Sequence, residues 1–404
     1  MYESGGPIVV GNSVYALDRS GNVVALDATS GQPLWHRALG VASKMAPAFL
    51  DGHLFVGTYD DTSASAQSTL YALDPFTGSI QWQRSIDGGL HGAPVSLDGN
   101  LFVPVAAGDP GLCHPGGVYV FNEKSGAPGA FWRTVPDAPA AGGAVWGSLT
   151  YDGTQILFGT GNTCGVAPST ANAVVAIDSG ANLEWTYQTA QAQIDDDVGS
   201  NVMDYSGSGY VTGKVGSTYA VDTATGNVRW QRQFAGDQLG GFSTPELVGS
   251  TLVTSGGYRY DPYQPPAGPN GTLYGLDPAS GSTKWTITAQ FPFWAPVAST
   301  NDLVFTTADT SAVALDPATG TTLWSKPLAT ISHGQPALAE GRVYVTDIQG
   351  HLYAFALPTT GNALLRKRAA TNLALMRRAA SLRPIALTRP RYCLRRVGAQ
   401  AMRP

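Results

Sequence analysis

The sequence predicts an all-β fold, an eight-bladed β-propeller made of four-stranded antiparallel blades. Three observations support this prediction. A pattern of four short strands, ending in an Ala-Leu-Asp strand, a Thr-Gly turn and a Trp-bearing strand, occurs about eight times. The tryptophans recur every 39 to 55 residues, a spacing typical of propeller blades. Hydrophobic residues make up 43% of the 404 positions, charged residues 13%, and there are 49 glycines, which favours short strands and tight turns.

Seven repeats end on a tryptophan, and an eighth, degenerate copy ends near Phe355 without one. The seven are Trp35, Trp82, Trp132, Trp185, Trp230, Trp285 and Trp324. The indole of each tryptophan is expected to pack against the neighbouring blade, with its N–H bonded to a carbonyl oxygen. Five hairpin turns contain a glycine where a positive φ is needed, namely Gly31, Gly78, Gly226, Gly281 and Gly320. Four strands per unit and no predicted helix favour a closed ring over a linear solenoid.

The propeller is predicted to cover residues 1–361, and residues 362–404 form a basic tail. The first part holds 13 of the 24 Lys and Arg and all 29 acidic residues, and the tail carries +11. The acidic part should repel nucleic acid, and no apolar run is long enough to span a membrane. Three hypotheses remain for the tail: a basic arm for anionic membrane or nucleic acid, an amphipathic helix over about 364–382, or out-of-frame translation. Its abrupt change of composition favours the third, and we expect no ordered fold there.

Closure of the ring leaves one strand unassigned. The chain opens directly on the innermost strand of the first blade, at Val9, and the eighth blade has no clear outer strand. Residues upstream of this chain, or residues 363–368, are the two candidates for the missing strand. The opening residues 1–7 are not a signal peptide.

Long insertions are predicted on one face of the ring. They fall between the second and third strands of four blades, at residues 60–69, 108–116, 163–171 and 259–270. Elaborated loops on a rigid scaffold usually carry function, although harmless drift of surface loops is the alternative. Cys113 and Cys164 lie in two of these insertions, in adjacent blades. A disulfide between them would indicate an oxidising compartment, whereas two free thiols would be typical of the cytosol.

The same face is predicted to carry the mouth of the central channel. Six residues precede the prolines of the innermost strands by three positions: Ser4, Lys44, His91, Phe242, Phe293 and His333. Trp146, Trp294 and the run Asp195, Asp196 and Asp197 should lie close by. Aromatic and ionisable groups together are typical of ligand sites, and His91 is a candidate cofactor contact. The alternative is that these residues are only structural.

Four motifs, in this order, extend the pattern: GGAVWGS at 142–148, GTGN at 159–162, DDDVG at 195–199 and GKVGS at 213–217. With the repeats, they resemble the quinoprotein alcohol dehydrogenase family, whose propellers consist of PQQ repeats, and most of all its polyvinyl-alcohol dehydrogenase branch. The resemblance covers nearly all of residues 1–361. It implies pyrroloquinoline quinone (PQQ) and a calcium ion as cofactors. The same repeats also occur in non-enzymatic relatives, such as the scaffold lipoprotein of outer-membrane protein assembly.

The resemblance also implies roles for individual residues. Trp146 would be the floor under the planar quinone, Asn162 a calcium ligand through its carbonyl oxygen, and Lys214 the basic group near the quinone oxygens. One of Asp195, Asp196 or Asp197 would be the general base on the alcohol.

The sequence departs from the family in three places. The calcium-binding Glu should fall near residue 111, where only Asp109 is within reach. The positions of the family's adjacent-cysteine disulfide align approximately with Asp60 and Asp61 in this sequence. No Cys-Xaa-Xaa-Cys-His haem motif occurs. The alternative interpretation of the motifs is blade packing, with Trp146 as a core wedge and Asn162 as a turn former.

Two functions from different classes follow. The first is a PQQ- and calcium-dependent oxidation of a small alcohol or polyol, and the second is a non-catalytic propeller that binds a polymer or a protein partner through its loop-rich face. For either function we predict a periplasmic or extracellular monomer that does not bind nucleic acid. The propeller fold alone does not discriminate between them, because unrelated functions share it.

Overall fold

The computed structural model describes residues 5–18, 20–59, 67–106, 114–138, 141–166, 168–189, 197–214, 216–234, 243–258, 268–356 and 400–401. These residues form eight four-stranded antiparallel sheets arranged as a propeller ring, with no α-helix among them. The predicted fold class and the predicted number of blades are therefore confirmed.

The strands of each blade follow one another in chain order. Blades 1 to 4 contain β1 Ile8–Val10, β2 Ser13–Leu17, β3 Asn22–Asp27, β4 Pro33–Ala38, β5 Ala48–Leu50, β6 His53–Gly57, β7 Gln67–Leu73, β8 Ile80–Asp87, β9 Val95–Leu97, β10 Asn100–Val105, β11 Gly117–Asn122, β12 Pro128–Arg133, β13 Thr150–Tyr151, β14 Ile156–Gly159, β15 Ala173–Ile177 and β16 Leu183–Gln188. Blades 5 to 8 contain β17 Met203–Tyr205, β18 Ser208–Gly213, β19 Ser217–Asp222, β20 Val228–Gln233, β21 Glu246–Val248, β22 Thr251–Tyr258, β23 Gly271–Leu276, β24 Thr283–Ala289, β25 Ala298–Ser299, β26 Val304–Ala308, β27 Ser311–Leu315, β28 Thr322–Pro327, β29 Ala337–Ala339, β30 Arg342–Thr346, β31 Leu352–Ala356 and β32 Gln400–Ala401.

Burial shows which way each blade points. The first strands of neighbouring blades contact one another, for example β1 with both β5 and β29, so they surround the central channel. The second and third strands are almost fully buried, and the fourth strands, such as β20, are largely exposed and form the rim. The apolar core therefore lies between successive blades, where the face of one sheet packs on the face of the next.

The tryptophans join the blades in the predicted way. Five of them donate their Nε1–H to a carbonyl of the following blade at 2.8 to 3.0 Å; these pairs are Trp35 with Pro75, Trp82 with Glu123, Trp185 with Thr223, Trp230 with Pro278 and Trp285 with Pro317. The accepting residue directly follows an Asp or Asn that is the last residue of the third strand of that blade or the residue after it. A buried or partly buried donor is thus satisfied at each of these interfaces, and each bond links two successive blades.

Closure of the ring uses different residues, because the eighth blade has no tryptophan. The Tyr344 hydroxyl donates to the carbonyl oxygen of Ala28 in blade 1 at 3.0 Å, and the Arg342 guanidinium donates to the same oxygen. Tyr15 makes the equivalent bond to Pro75 at 3.0 Å, beside that of Trp35. The fourth strand of blade 8 is β32, whose Gln400 and Ala401 pair with Ala356 and Phe355. Residues 363–368, one predicted source of that strand, lie outside the described residues.

A buried carboxyl group between blades 2 and 3 makes stability depend on pH. Glu123 is 1% exposed, and its Oε2 accepts the Ser96 hydroxyl at 2.5 Å. Burial raises the pKa of Glu123, the Ser96 hydroxyl lowers it, and the negative charge of Asp51 raises it further. Because the net shift is upward, Glu123 stabilises the fold most when it is protonated, below its unfolded-state pKa. That contribution is lost as the pH rises through the folded-state pKa.

We therefore expect Glu123→Gln to raise the free energy of unfolding at pH 7 to 8 and to have little effect near pH 4. Urea denaturation at several pH values measures this difference. Glu184→Gln, at an exposed position, is the control and should change stability at neither pH. A loss of stability at pH 7 for the Glu123 variant alone would contradict the prediction.

Candidate active site

The carboxylate of Asp197 is the centre of a buried polar cluster at the end of the ring where the long insertions emerge. Its Oδ1 accepts the main-chain N–H of Asn162 at 2.7 Å. Its Oδ2 accepts the Lys214 ammonium at 3.1 Å and the Nε1–H of Trp146 at 3.2 Å. The structure thus brings together one residue from each of the four motifs.

Strand topology explains why these four residues meet. Trp146 precedes β13 and Asp197 precedes β17, so both stand at the entrance of an innermost strand. Asn162 and Lys214 follow β14 and β18, the second strands of the same two blades. In an antiparallel pair the start of one strand lies beside the end of the next, so all four side chains lie at one end of blades 4 and 5.

Lys214 and Asp197 form a buried ion pair. Their side chains are 9% and 10% exposed, and the main-chain N–H of Lys214 donates to the Asp197 carbonyl oxygen at 2.8 Å. The Lys214 Nζ also lies 5.3 Å from the centroid of the half-buried Trp146 ring, within the range of a cation–π contact. The pair is neutral as a whole, so removal of either partner would leave one buried charge without compensation.

Two glycines make the room for this cluster. A Cβ on Gly161 would lie 2.7 Å from Asp197 Oδ1, and a Cβ on Gly199 would lie 1.9 Å from the Trp146 ring. Gly161 belongs to the GTGN motif and Gly199 to the DDDVG motif. Their presence is explained by close approach, because any side chain would displace the carboxylate or the indole.

Asn162 is held by its neighbours on three sides. Besides its bond to Asp197, its carbonyl oxygen accepts the N–H of Gly143 at 2.8 Å. Its side-chain Oδ1 accepts the Nδ2–H of Asn172 at 3.1 Å. Amide oxygens such as Oδ1 belong to the ligand types that a hard cation such as Ca²⁺ prefers.

The other predicted mouth residues form two separate aromatic groups. The Lys44 ammonium lies 4.0 Å from the centre of the Tyr59 ring, which meets the His91 ring edge to face at 4.3 Å. His333 meets Trp294 in the same way at 4.2 Å. His91 therefore belongs to a cluster on blades 2 and 3, distinct from the Asp197 cluster on blades 4 and 5.

One predicted mouth residue has a different position. Phe293 is 3% exposed and packs in the core of blades 6 and 7, because its ring has no polar group that would draw it to the surface. Ser4 and Phe242 lie outside the described residues.

Several other candidate residues also lie outside the described residues. They are Asp60, Asp61, Asp109, Cys113, Asp195 and Asp196. Cys164 is disulfide-bonded, as the hypothesis of a bridge in these insertions requires. In the described part of the chain, no group of three or more His, Cys, Asp or Glu side chains is arranged to hold a metal ion. The same part contains no helix long and apolar enough to cross a membrane.

Tyr59 and Asn172 contact predicted site residues but were not themselves predicted from the sequence. A signal for Tyr59 existed, because alignment of the second strands matches Gly57-Thr58-Tyr59 with Gly159-Thr160-Gly161 and so places Tyr59 at the mouth. Asn172 gave no signal, since its contact with Asn162 depends on the path of the loop between β14 and β15.

Comparison with known proteins identifies the family. A family model of PQQ repeats described as "Outer membrane protein assembly factor BamB" matches residues 2–66, 62–257 and 269–384. The chain belongs to this PQQ-repeat family. A search of curated proteins found no match to this PQQ-repeat propeller.

Solved structures similar to this PQQ-repeat propeller include two dehydrogenases and BamB. Quinohemoprotein alcohol dehydrogenase from Comamonas testosteroni is 18% identical, with a TM-score of 0.68, over 89% of this chain and 76% of the other. BamB from Moraxella catarrhalis is 13% identical, with a TM-score of 0.66, over 90% of this chain and 97% of the other. A europium-containing methanol dehydrogenase is 17% identical, with a TM-score of 0.68, over 87% of this chain and 81% of the other. At these identities the similarity shows the fold alone.

Proposed function

We propose that this PQQ-repeat propeller binds a quinone of the PQQ type at the channel mouth and oxidises an alcohol. One observation carries the proposal. The carboxylate of Asp197 accepts hydrogen bonds from Trp146, Asn162 and Lys214. These four residues come from the four motifs that occur here in the order of the quinoprotein alcohol dehydrogenases. Blade packing alone does not require an indole, an amide and an ammonium group to converge at the mouth.

The chemistry of these side chains fits a planar, anionic cofactor. Trp146 offers an aromatic surface for stacking, and Lys214 places a positive charge beside it. When bound, such a quinone supplies a two-electron acceptor for the hydrogen of the alcohol. The described residues fit the calcium ion less well, since only Asn162 Oδ1 is a candidate ligand among them. Asp109, the second ligand that we propose, lies outside them.

Asp197 has a specific role in this proposal. Its Oδ1 accepts one hydrogen bond and its Oδ2 accepts two from described residues, so Asp197 positions Trp146, Asn162 and Lys214 relative to one another. A general base needs an oxygen that faces the alcohol. We therefore propose that Asp195 or Asp196 accepts the proton of the alcohol and that Asp197 keeps the site assembled.

The decisive experiment is reconstitution with PQQ and calcium chloride. We expect a saturable change in quinone absorbance, heat of binding by calorimetry, and reduction of an artificial dye when a primary alcohol is added. Asn162→Ala should abolish these signals, whereas Asn227→Ala, in a rim turn, should leave them unchanged. No absorbance change with the unaltered protein would overturn the proposal.

A second candidate function rests on a different observation. The family model carries the description of an assembly factor, and this chain aligns with 97% of the BamB structure. A non-catalytic propeller that binds a protein or polymer through its loop-rich face is therefore the alternative, and it predicts no spectral change on reconstitution.

Either function is proposed to operate outside the cytoplasm, in a monomer. The disulfide-bonded Cys164 supports this location, because disulfides persist mainly in oxidising compartments.

A further inference from the structure

The interface between blades 3 and 4 lacks a hydrogen bond that five other interfaces share. At those five the tryptophan Nε1–H reaches a carbonyl of the next blade, but Trp132 donates to no acceptor in the described part of the chain. Trp132 is 8% exposed and meets Phe158 edge to face at 5.2 Å. Its polar atom is therefore a donor without an acceptor on a side chain that is otherwise buried.

A shortened turn accounts for the missing bond. Seven positions separate Asp178 from Trp185, whereas eight separate Asp27 from Trp35. The spacing is also eight from Asp74, Asp222, Asp277 and Asp316 to the tryptophan that follows each of them. Ala181, at a φ of 61°, stands where those turns have glycine. The turn that faces Trp132 is therefore one residue too short to present a carbonyl to the indole.

A cleft lies beside this short turn, and Ala181 is among its lining residues. It has a volume of about 460 Å³ and is lined by Phe131, Trp132, Arg133, Pro136, Pro168 and Leu183, among others. Leu183 is 46% exposed, and the Arg133 guanidinium lies 4.5 Å from the centre of the Phe131 ring. The cleft thus combines apolar walls, one hydrogen-bond donor and a cation at its edge, the composition of a ligand site.

The equivalent tryptophans of the other blades show which kind of acceptor fits the Trp132 indole N–H. Its equivalents bond to main-chain carbonyls, and three of the five accepting residues are prolines: Pro75, Pro278 and Pro317. The carbonyl oxygen of a proline therefore matches the Trp132 indole N–H at the base of the cleft. Each of these prolines lies in a tight turn, closed for example by the bond from the Gly78 N–H to the Asp74 carbonyl oxygen at 2.8 Å. The ligand that matches the cleft is therefore a proline-containing turn, whose fixed proline φ reduces the conformational entropy lost on docking.

We propose that this cleft binds a proline-containing turn of another protein, with a main-chain carbonyl on Trp132 Nε1 and an apolar side chain against Phe131 and Leu183. The site is on the outer rim of blades 3 and 4 and is independent of the channel mouth.

The test uses the full chain labelled with ¹⁵N at its nine tryptophans. The probe is a capped pentapeptide, Asp-Pro-Phe-Thr-Gly, the sequence of the turn at residues 74–78. We expect saturable movement of a single indole N–H signal, identified as that of Trp132 by its absence in Trp132→Phe. A capped Asp-Ala-Ala-Thr-Gly peptide should bind at least about tenfold more weakly.

A second variant closes the cleft from within the chain. Replacement of residues 179–182 by Pro-Ala-Thr-Gly-Thr, the sequence of residues 317–321, restores the eight-position spacing. We expect the Trp132 signal to move without peptide, the peptide affinity to fall at least about tenfold, and the melting temperature not to fall. The proposal is wrong if the peptide leaves the Trp132 signal of the unaltered protein in place, or if the restored turn binds the peptide as well as before.

Discussion

Asp197→Ala is expected to lower the free energy of unfolding by about 3 to 5 kcal/mol, because it leaves the Lys214 ammonium buried without a partner. The two side chains are 10% and 9% exposed, so solvent cannot replace the lost carboxylate. The change also removes the acceptor of the Trp146 indole and of the Asn162 amide. Urea denaturation at pH 7 measures the loss.

The control is the double variant Asp197→Ala, Lys214→Met. It removes both charges and should recover a large part of the lost stability, since a neutral pair carries no unpaired charge. Equal destabilisation in the single and double variants would show that the charge on Lys214 is not the cause. In a reconstituted holoprotein, the single variant should also weaken quinone binding, because Trp146 and Lys214 lose their common anchor.

Gly226→Ala is expected to cost at least about 2 kcal/mol of stability. Gly226 has a φ of 73°, and an added Cβ would lie 2.5 Å from Cε3 of Trp185 in the preceding blade. Backbone strain and steric overlap therefore act together, and the overlap pushes the indole away from the Thr223 carbonyl that it contacts at 2.9 Å.

Gly249→Ala separates the two causes. Gly249 has a φ of 62°, but a Cβ added there would meet nothing within 4 Å, so only the backbone strain of about 1 to 2 kcal/mol applies. Chemical denaturation of both variants gives the comparison. If they cost the same, the close contact between turn and tryptophan contributes nothing to the interface.

The fold was predictable because its determinants are local and repeated. A turn glycine followed by a tryptophan specifies a hairpin and also the side chain that packs between neighbouring blades. This pattern occurs often enough in the sequence to give the number of blades. The prediction was incomplete for the eighth blade, where the repeat pattern is degenerate. The eighth blade has neither Asp nor Trp in its repeat, and neither the β32 strand nor the Tyr344 bond to Ala28 was foreseen.

The candidate site was predictable only in part. The four motifs nominated Trp146, Asn162, Asp197 and Lys214 through their resemblance to a family, and the structure places them in contact. The sequence could not show that the Asp197 carboxylate accepts hydrogen bonds from Trp146, Asn162 and Lys214. That arrangement arises where two blades meet, and sequence spacing does not report which donors face a given oxygen.

The sequence by itself determined the ring of eight blades, because strand alternation, positive-φ glycines and interlocking tryptophans are encoded within each repeat. The tertiary structure alone decided that Asp197 is an anchor within an ion pair and that Trp132 faces an open cleft. Both features depend on distances of about 3 Å between residues of different blades. A change of one residue in a turn can make or remove such a contact while the repeat pattern is preserved.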